Sequence, residues 1–536
     1  MIGTHGDIES ALLLAAGTHF VHCDANAQLN VTGVLQGNAA ITKTGAGELQ
    51  FLSTNTYSGV TIVQGGVLTL EGAGRPGSTA AGTFVSAGGR LQLSNCAVTN
   101  ETLTLNGALA DGDGLWSSTF GRWAGPIVLN GGGSISSSGP LHLEGGISGN
   151  GGLKLRRITG APAGYTDLIG SSPNTYTGTT SVLDGIVELG KTAGPAIPGD
   201  LIIGGGIGAC VVRLLQADQI ASTAAVTILS GAGFGQKGFA QTIGSLSGDG
   251  GLSLDTPGTF TIGANGNSTT FAGVIDGFGA LTKTGAGTLT LSGDNPYSGA
   301  TIVNGGTLIV NGQQQFSSVS VLSGAKLGGN GRVGNLAVNT GATIAPGASP
   351  GVLSCGNANL LSSGATLQIE INGTTPGTYD QLAVNGAASM IGGSLQVLMN
   401  IGGSVSNQYV IVNNDGADSV SGTFTGLPEG ASITNQGAAF VITYHGGDGN
   451  DIALIQQTVG YVSRIVSGVR QPNGRFAITA LGAPNTTYRV DACTNLMPPV
   501  VWSQIGSAAA NASGNISFSD VSAPSYPIRF YRLRYP

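Results

Sequence analysis

The chain has 536 residues, of which 94 are glycine, 40% are hydrophobic and only 9% are charged. Such a high apolar share excludes a disordered polar chain, and the scarcity of Glu, Lys and Met disfavours a helical fold. The net charge of −7 is uneven: residues 461–536 hold seven Arg, no Lys and two Asp, a net of +5 against −12 elsewhere, which marks a domain boundary without supplying the Lys/Arg run of a nucleic-acid binder.

The first ten residues carry Asp7 and Glu9 and no Lys or Arg ahead of the short apolar run Ala11–Gly17, a poor secretory signal. No run reaches the ~18 apolar residues of a membrane-spanning helix. His19, His22, Cys23 and Asp24 are metal-ligand types, but His19 and His22 fall on opposite faces of a strand, so an irregular first coil is expected. The cysteines Cys23, Cys96, Cys210, Cys355 and Cys493 are odd in number and scattered. They form neither a disulfide framework nor a zinc site and read as small core residues.

Alternation then sets in. Leu49 and Phe51 share one strand face, as do Leu68 and Leu70. The phrase Thr42-Lys-Thr-Gly-Ala-Gly47 returns 240 positions later as Thr282-Lys-Thr-Gly-Ala-Gly287, and the register holds for ~25 more residues without a gap. The positions that define the repeat are Lys43, Gly45, Gly47, Asn55, Tyr57, Gly59 and Gly66, matched by Lys283, Gly285, Gly287, Asn295, Tyr297, Gly299 and Gly306. A weaker copy keeps Asn174, Tyr176, Gly178 and Gly185. The recurrent tyrosines are read as stacking or corner residues, with a ladder of ligand contacts as the rival. Leu49 and Leu68 lie 19 residues apart, which suits one circuit of two or three short strands with glycine corners. A strand returning after one circuit lies parallel to its predecessor at ~4.8 Å, so ~20–25 residues per coil predict roughly 20 coils and a rod of ~90–100 Å. Like charges stacked at that spacing would repel, which accounts for the low charge.

Several motifs tempt. Asp111 and Asp113 could form an acid/base pair on a strand, but Asp-Gly twice is a turn signal. Gly329-Asn-Gly331-Arg-Val-Gly334 lacks the following helix of a dinucleotide site, and Gly347-Ala-Ser349-Pro-Gly351 lacks the strand–turn–helix of a nucleophile elbow; both are read as coil corners. Gly446-Gly-Asp448-Gly-Asn450-Asp451-Ile-Ala-Leu454 fits the calcium nonapeptide of β-rolls, with Asp448, Asn450 and Asp451 as candidate ligands. Only one copy exists and Ala453 is small where a large apolar residue is usual, so the competing reading is a turn closing the last hairpin. No cofactor is expected apart from calcium at that turn.

The phrase from Leu281 to Gly293, followed by Asn295-Pro-Tyr-Ser-Gly-Ala-Thr-Ile-Val-Asn-Gly-Gly-Thr-Leu308, resembles the autotransporter-associated β-strand repeat of bacterial surface and secreted passengers. Ile243–Leu252, Phe271–Gly277, Ile344–Gly351, Tyr379–Val384 and Tyr444–Asp451 resemble the lead-in and end regions of such passengers, so the likeness spans about residues 30–455. It implies an all-β, right-handed parallel β-helix, exported to the cell surface or beyond, with no catalytic residues. Too few residues follow 455 for an outer-membrane barrel. The stretch from Phe476 reads instead as a small β-sandwich, whose ending Arg529-Phe-Tyr-Arg-Leu533 resembles terminal modules of Verrucomicrobia–Planctomycetes repeat proteins.

The expected organisation is a β-helix over 1–345, its C-terminal part and cap over 346–457, and a sandwich module over 458–536. The expected function is a non-enzymatic stalk or adhesin-like passenger, with surface glycans or other extracellular surfaces as candidate partners and no nucleic acid. A polysaccharide-degrading β-helix enzyme and a calcium-stabilised binding module are the alternatives.

Overall fold

The computed structural model describes residues 5–534 except 111–113, 158–163, 361–363, 400–406, 417, 436–437, 458–462, 484 and 512. The chain winds as a parallel β-solenoid. A single coil shows the plan: strands Ala225–Ile228, Ala232–Gly235 and Gln241–Ile243 each pair in parallel with Ser245–Gly248, Gly251–Leu254 and Thr259–Ile262 of the next coil. Three ladders therefore run along the shaft as three walls around one core. Coil length is irregular, from 17 residues at Lys326↔Thr343 to 30 at Ala358↔Ala388.

Alternation dictates the core. Leu49, Leu68, Leu91, Leu115, Ile135, Leu155 and Val182 stand directly above one another in register, and none is more than 1% exposed. Each covers its neighbour at strand spacing, so burial of one depends on the coils either side. The outward column carries polar residues, and charges there meet opposite charges in the next coil. Arg122 Nη2 lies 2.6 Å from Glu144 Oε2, and His142 Nδ1 lies 2.8 Å from Asp167 Oδ2. Arg122 Nε donates to the other Glu144 oxygen at 2.6 Å, and this fork holds the Glu144 carboxyl below its ordinary range.

The ladder continues through Ser394–Met399. Gln408–Asn414 is the transition, parallel to Gln381–Val384 on one side and antiparallel to Asp451–Gln457 on the other. Ala438–Gly446 and Ser432–Asn435 extend that antiparallel group and cover an edge that would otherwise offer unpaired backbone.

The last described residues form two three-stranded antiparallel sheets. Arg464–Arg470, Phe476–Leu481 and Asn515–Asp520 make one, and Ser503–Ala509, Thr487–Cys493 and Phe530–Arg534 the other. Ala480, Tyr488, Val490 and Ile516 fill a separate small core between them. Asp491 is fully buried there. Burial pushes its carboxyl up, but Arg489 and Arg532 outweigh this and hold it below the usual range.

Candidate functional site

The residues that define the repeat converge on one construction, made three times. Asn55, Asn174 and Asn295 sit where the chain leaves a strand to round a corner, and all three are 1% exposed. Each side-chain oxygen accepts from a backbone N–H of the preceding coil: Leu35 N at 2.8 Å, Ile147 N at 2.8 Å and Ile275 N at 2.9 Å. The amide nitrogens of Asn55 and Asn174 donate onward to carbonyls of the following coil, Arg75 O at 2.8 Å and Ala196 O at 2.7 Å. Asn55 and Asn174 thus each tie three successive coils where the corner interrupts the ladder, whereas Asn295 ties two and turns its amide nitrogen back to Gly293 O at 2.8 Å. Two residues later Tyr57, Tyr176 and Tyr297 turn inward. Each hydroxyl lies 2.5 Å from the threonine four residues on, Thr61, Thr180 and Thr301. The rings are at most 1% exposed, so they are buried in the core and offer no face to a ligand.

Lys43 and Lys283 form a second clamp. Both are buried, and no carboxylate pairs with either among the described residues. Lys43 Nζ donates to Thr44 O, Gly45 O and Gly65 O at 2.9, 2.9 and 3.1 Å. Lys283 Nζ repeats this with Thr284 O, Gly285 O and Gly305 O at 2.7, 3.1 and 3.1 Å. Burial lowers the pKa of both ammonium groups, and three carbonyl dipoles satisfy their three donors. In the middle copy the register puts Leu155 at the equivalent position, paired with Val182 as Lys43 is with Val63 and Lys283 with Val303. Lys191 nearby makes a related bond pair, to Glu144 O at 3.1 Å and Gly145 O at 2.8 Å.

The glycines serve the same corners in two ways. Gly45, Gly285, Gly66, Gly306 and Gly185 adopt φ between +60° and +85°, a region costly for other residues. Gly47, Gly59, Gly178, Gly287 and Gly299 are required by contact. A methyl group at Gly299 would lie 2.0 Å from Gly279 O, and one at Gly59 2.4 Å from Ala39 O.

The remaining candidates scatter. His19 Nε2 meets Ala15 O at 3.0 Å, whereas His22 meets Thr44 Oγ1 at 3.0 Å and Asp24 at 3.2 Å, so the two share no partner. Asp111 and Asp113 lie outside the described residues. Gly329 ends the strand Lys326–Gly329 and Gly331 lies in the bend before Arg332–Val333, with no helix following. Ser349, at φ +77°, donates its hydroxyl to Glu370 Oε2. Asp380, 2% exposed, ties the same loop by accepting from Gly351 N at 2.9 Å and Glu370 N at 2.8 Å.

Asp448, Asn450 and Asp451 occupy the turn between Ala438–Gly446 and Asp451–Gln457. Asn450 Nδ2 points at Asp415 O, Gly416 O and Asp418 O, at 3.5, 3.2 and 3.1 Å, and Asp451 Oδ1 accepts from Asn414 N at 2.8 Å. The amide that would face a cation through its oxygen instead presents its donor to those carbonyls. Among the described residues no three His, Cys, Asp or Glu side chains gather as a metal would require.

Sequence reasoning missed two buried carboxyls. Glu101 is 1% exposed and accepts from Thr83 Oγ1 at 2.8 Å; burial raises its pKa to about 7. Burial likewise raises Asp380 to about 6. Both values lie above the ordinary 4.5 and 3.8. Between pH ~4.5 and ~7 the folded chain therefore binds more protons than the unfolded one, and stability falls as pH rises. The expected result is a higher melting temperature at pH 5 than at pH 7.5, with a slope of at most about 1.4 kcal/mol per pH unit for each carboxyl. Differential scanning calorimetry checks it, and the double variant Glu101→Gln/Asp380→Asn should flatten the profile.

Three segments, residues 41–70, 163–189 and 281–310, match the family model of the passenger-associated-transport-repeat. They are the three copies just described. The chain is 27% identical over 278 residues to the adhesin BmaC autotransporter of Brucella suis biovar 1 (strain 1330), a match covering 50% of this chain and 7% of that protein's length. Against the crystal structure of the Haemophilus influenzae Hap adhesin the identity is 12% and the TM-score 0.32, over 84% of this chain and 63% of that one. The tied corners, buried tyrosines and carbonyl-caged lysines all fall in those matched segments, so the chain carries three segments similar to the passenger-associated-transport-repeat.

Proposed function

We propose that this chain is a non-enzymatic shaft segment of a bacterial surface or secreted passenger, stiff along its axis and adhesive through side chains at its walls and corners. The observation that carries the reading is the three-coil asparagine tie. It bonds backbone groups where the ladder is interrupted, so the wall does not hinge at its corners. Rigidity of this kind holds weak contacts at fixed spacing, which favours multivalent attachment over turnover. The similarity to the adhesin named above supports the surface location and the adhesive role. Surface glycans remain the partner class this reading favours.

Beads coated with the full chain should be retained under flow on a glycan-bearing surface and should release no reducing ends from polysaccharides. Sustained release of reducing ends in proportion to protein would replace this reading with the polysaccharide-degrading one. Calcium enters the same test: saturating Ca²⁺ is expected to leave the melting temperature within ~1 °C, since the Asn450 amide already satisfies the carbonyls of the 415–418 turn.

A further inference from the structure

One wall of the shaft carries an open recess whose floor is bare backbone. On the outer face of the ladder that includes Ala232–Gly235 and Gly251–Leu254, two columns point to solvent. One reads Val211, Gly233, Gly251, Val274 in register, and the other Arg213, Gly235, Ser253, Asp276. Three of the four central positions are glycine, and the space above them measures about 320 Å³. Neither reason that explains the corner glycines applies. None of Gly233, Gly235 and Gly251 has a positive φ. An added methyl group would meet nothing closer than 3.7 Å at Gly235 and 3.9 Å at Gly233 and Gly251. Glycine within a strand weakens it and gives it nothing to pack, and its usual reason is the close approach of something else to the backbone.

We propose that this recess is a binding site for a neutral saccharide of one or two rings. The volume is at the lower end of the range for small-ligand sites. The bare floor admits a flat ring, with the Val211 and Val274 side chains at its two ends. The rim offers donors and acceptors of both signs: Arg213 and Lys237 against Asp255 and Asp276, with the Ser253 hydroxyl between them. Arg213 also pairs with Glu188 of the neighbouring coil at 3.7 Å, so the rim carries no excess of positive charge and does not select an anion, whereas vicinal hydroxyls donate to carboxylates and accept from guanidinium and ammonium groups at once. Lys237 is held at the rim by its own backbone, which adopts φ +57° and donates to Asp255 Oδ2 at 3.0 Å. The site rests on the adhesive reading above and gives it a place on the shaft.

The test uses the full chain and four disaccharides, cellobiose, maltose, lactose and N,N′-diacetylchitobiose, observed by saturation-transfer NMR. The unaltered chain should transfer to at least one of them. Gly235→Val/Gly251→Val fills the floor and should weaken that binding at least tenfold while the melting temperature holds or rises. Asp276→Asn, with the floor left open, should weaken it at least fivefold without moving the melting temperature. Undiminished transfer in both variants, or no transfer to any of the four by the unaltered chain, overturns the site. Bead retention under flow separates the two failures. If beads of the unaltered chain are retained after the recess has failed, the adhesive reading stands and the site alone falls; if they are not, both fall.

Discussion

Gly299→Ala is expected to split the thermal unfolding of the shaft into two transitions and to destabilise the coils around it by at least about 3 kcal/mol. The added methyl group would lie 2.0 Å from Gly279 O and 2.4 Å from Gly279 C, both backbone atoms of the coil below. Neither a rotamer change nor a small side-chain shift relieves such a contact; the coils must part. Because each coil contacts chiefly its neighbours, parting one pair uncouples the halves rather than melting the whole. Hydrogen exchange resolved by peptide should show protection lost near residues 279–299 and retained in the leucine stack from Leu49 to Leu155. Gly235→Ala is the internal control, since a methyl group there meets nothing closer than 3.7 Å. It should leave a single transition at an unchanged or higher temperature. A single unaltered transition in Gly299→Ala would mean that these coils do not approach as described.

The second large effect is expected from Lys283→Met. Methionine fills most of the volume but leaves Thr284 O, Gly285 O and Gly305 O without their donor. Each buried carbonyl left unsatisfied costs ~1–3 kcal/mol, offset in part because a desolvated ammonium is removed with it. A net loss of about 2–4 kcal/mol follows on that bookkeeping, read from chemical denaturation. Lys283→Arg should not rescue, because a planar fork does not reproduce three donors converging from one atom. The paired change Lys43→Met should have a similar effect, its carbonyl bonds being the same in kind and in length to within ~0.2 Å. If Lys283→Met were neutral, the ammonium would have no structural part in the repeat.

Much of this architecture was legible because a solenoid writes its geometry into the sequence at the coil period. The exact return of Lys43, Asn55 and Tyr57 at Lys283, Asn295 and Tyr297 made their roles equivalent before any role was known. The threonine four residues after each tyrosine was visible too. What each residue bonds to was not. The partners of Asn55 and Lys43 are backbone N–H and C=O groups of neighbouring coils, and backbone groups carry no sequence signature. Coil length was harder still, because corners of different size produce steps between 17 and 30 residues with no shared punctuation. The recess was hidden by abundance. Among 94 glycines, three that are free of both strain and contact look like all the others until the register sets them side by side. Glu101 and Asp380 were overlooked because an isolated acid in a polar stretch reads as surface, whereas both are at most 2% exposed.

The winding itself is tested most directly by a distance. Gln50 and Thr290 are equivalent positions of the two strong repeats, and their strands are separated by eleven steps of one continuous parallel ladder. At ~4.8 Å per step the strands lie about 53 Å apart along the axis. Both side chains face outward and are partly exposed, so Gln50→Cys and Thr290→Cys can carry spin labels while the five native thiols remain buried. Pulsed electron–electron double resonance should give one narrow distribution centred between about 48 and 60 Å once label linkers are included. A distribution centred below ~35 Å, or one too broad to assign, would contradict a shaft of stacked coils.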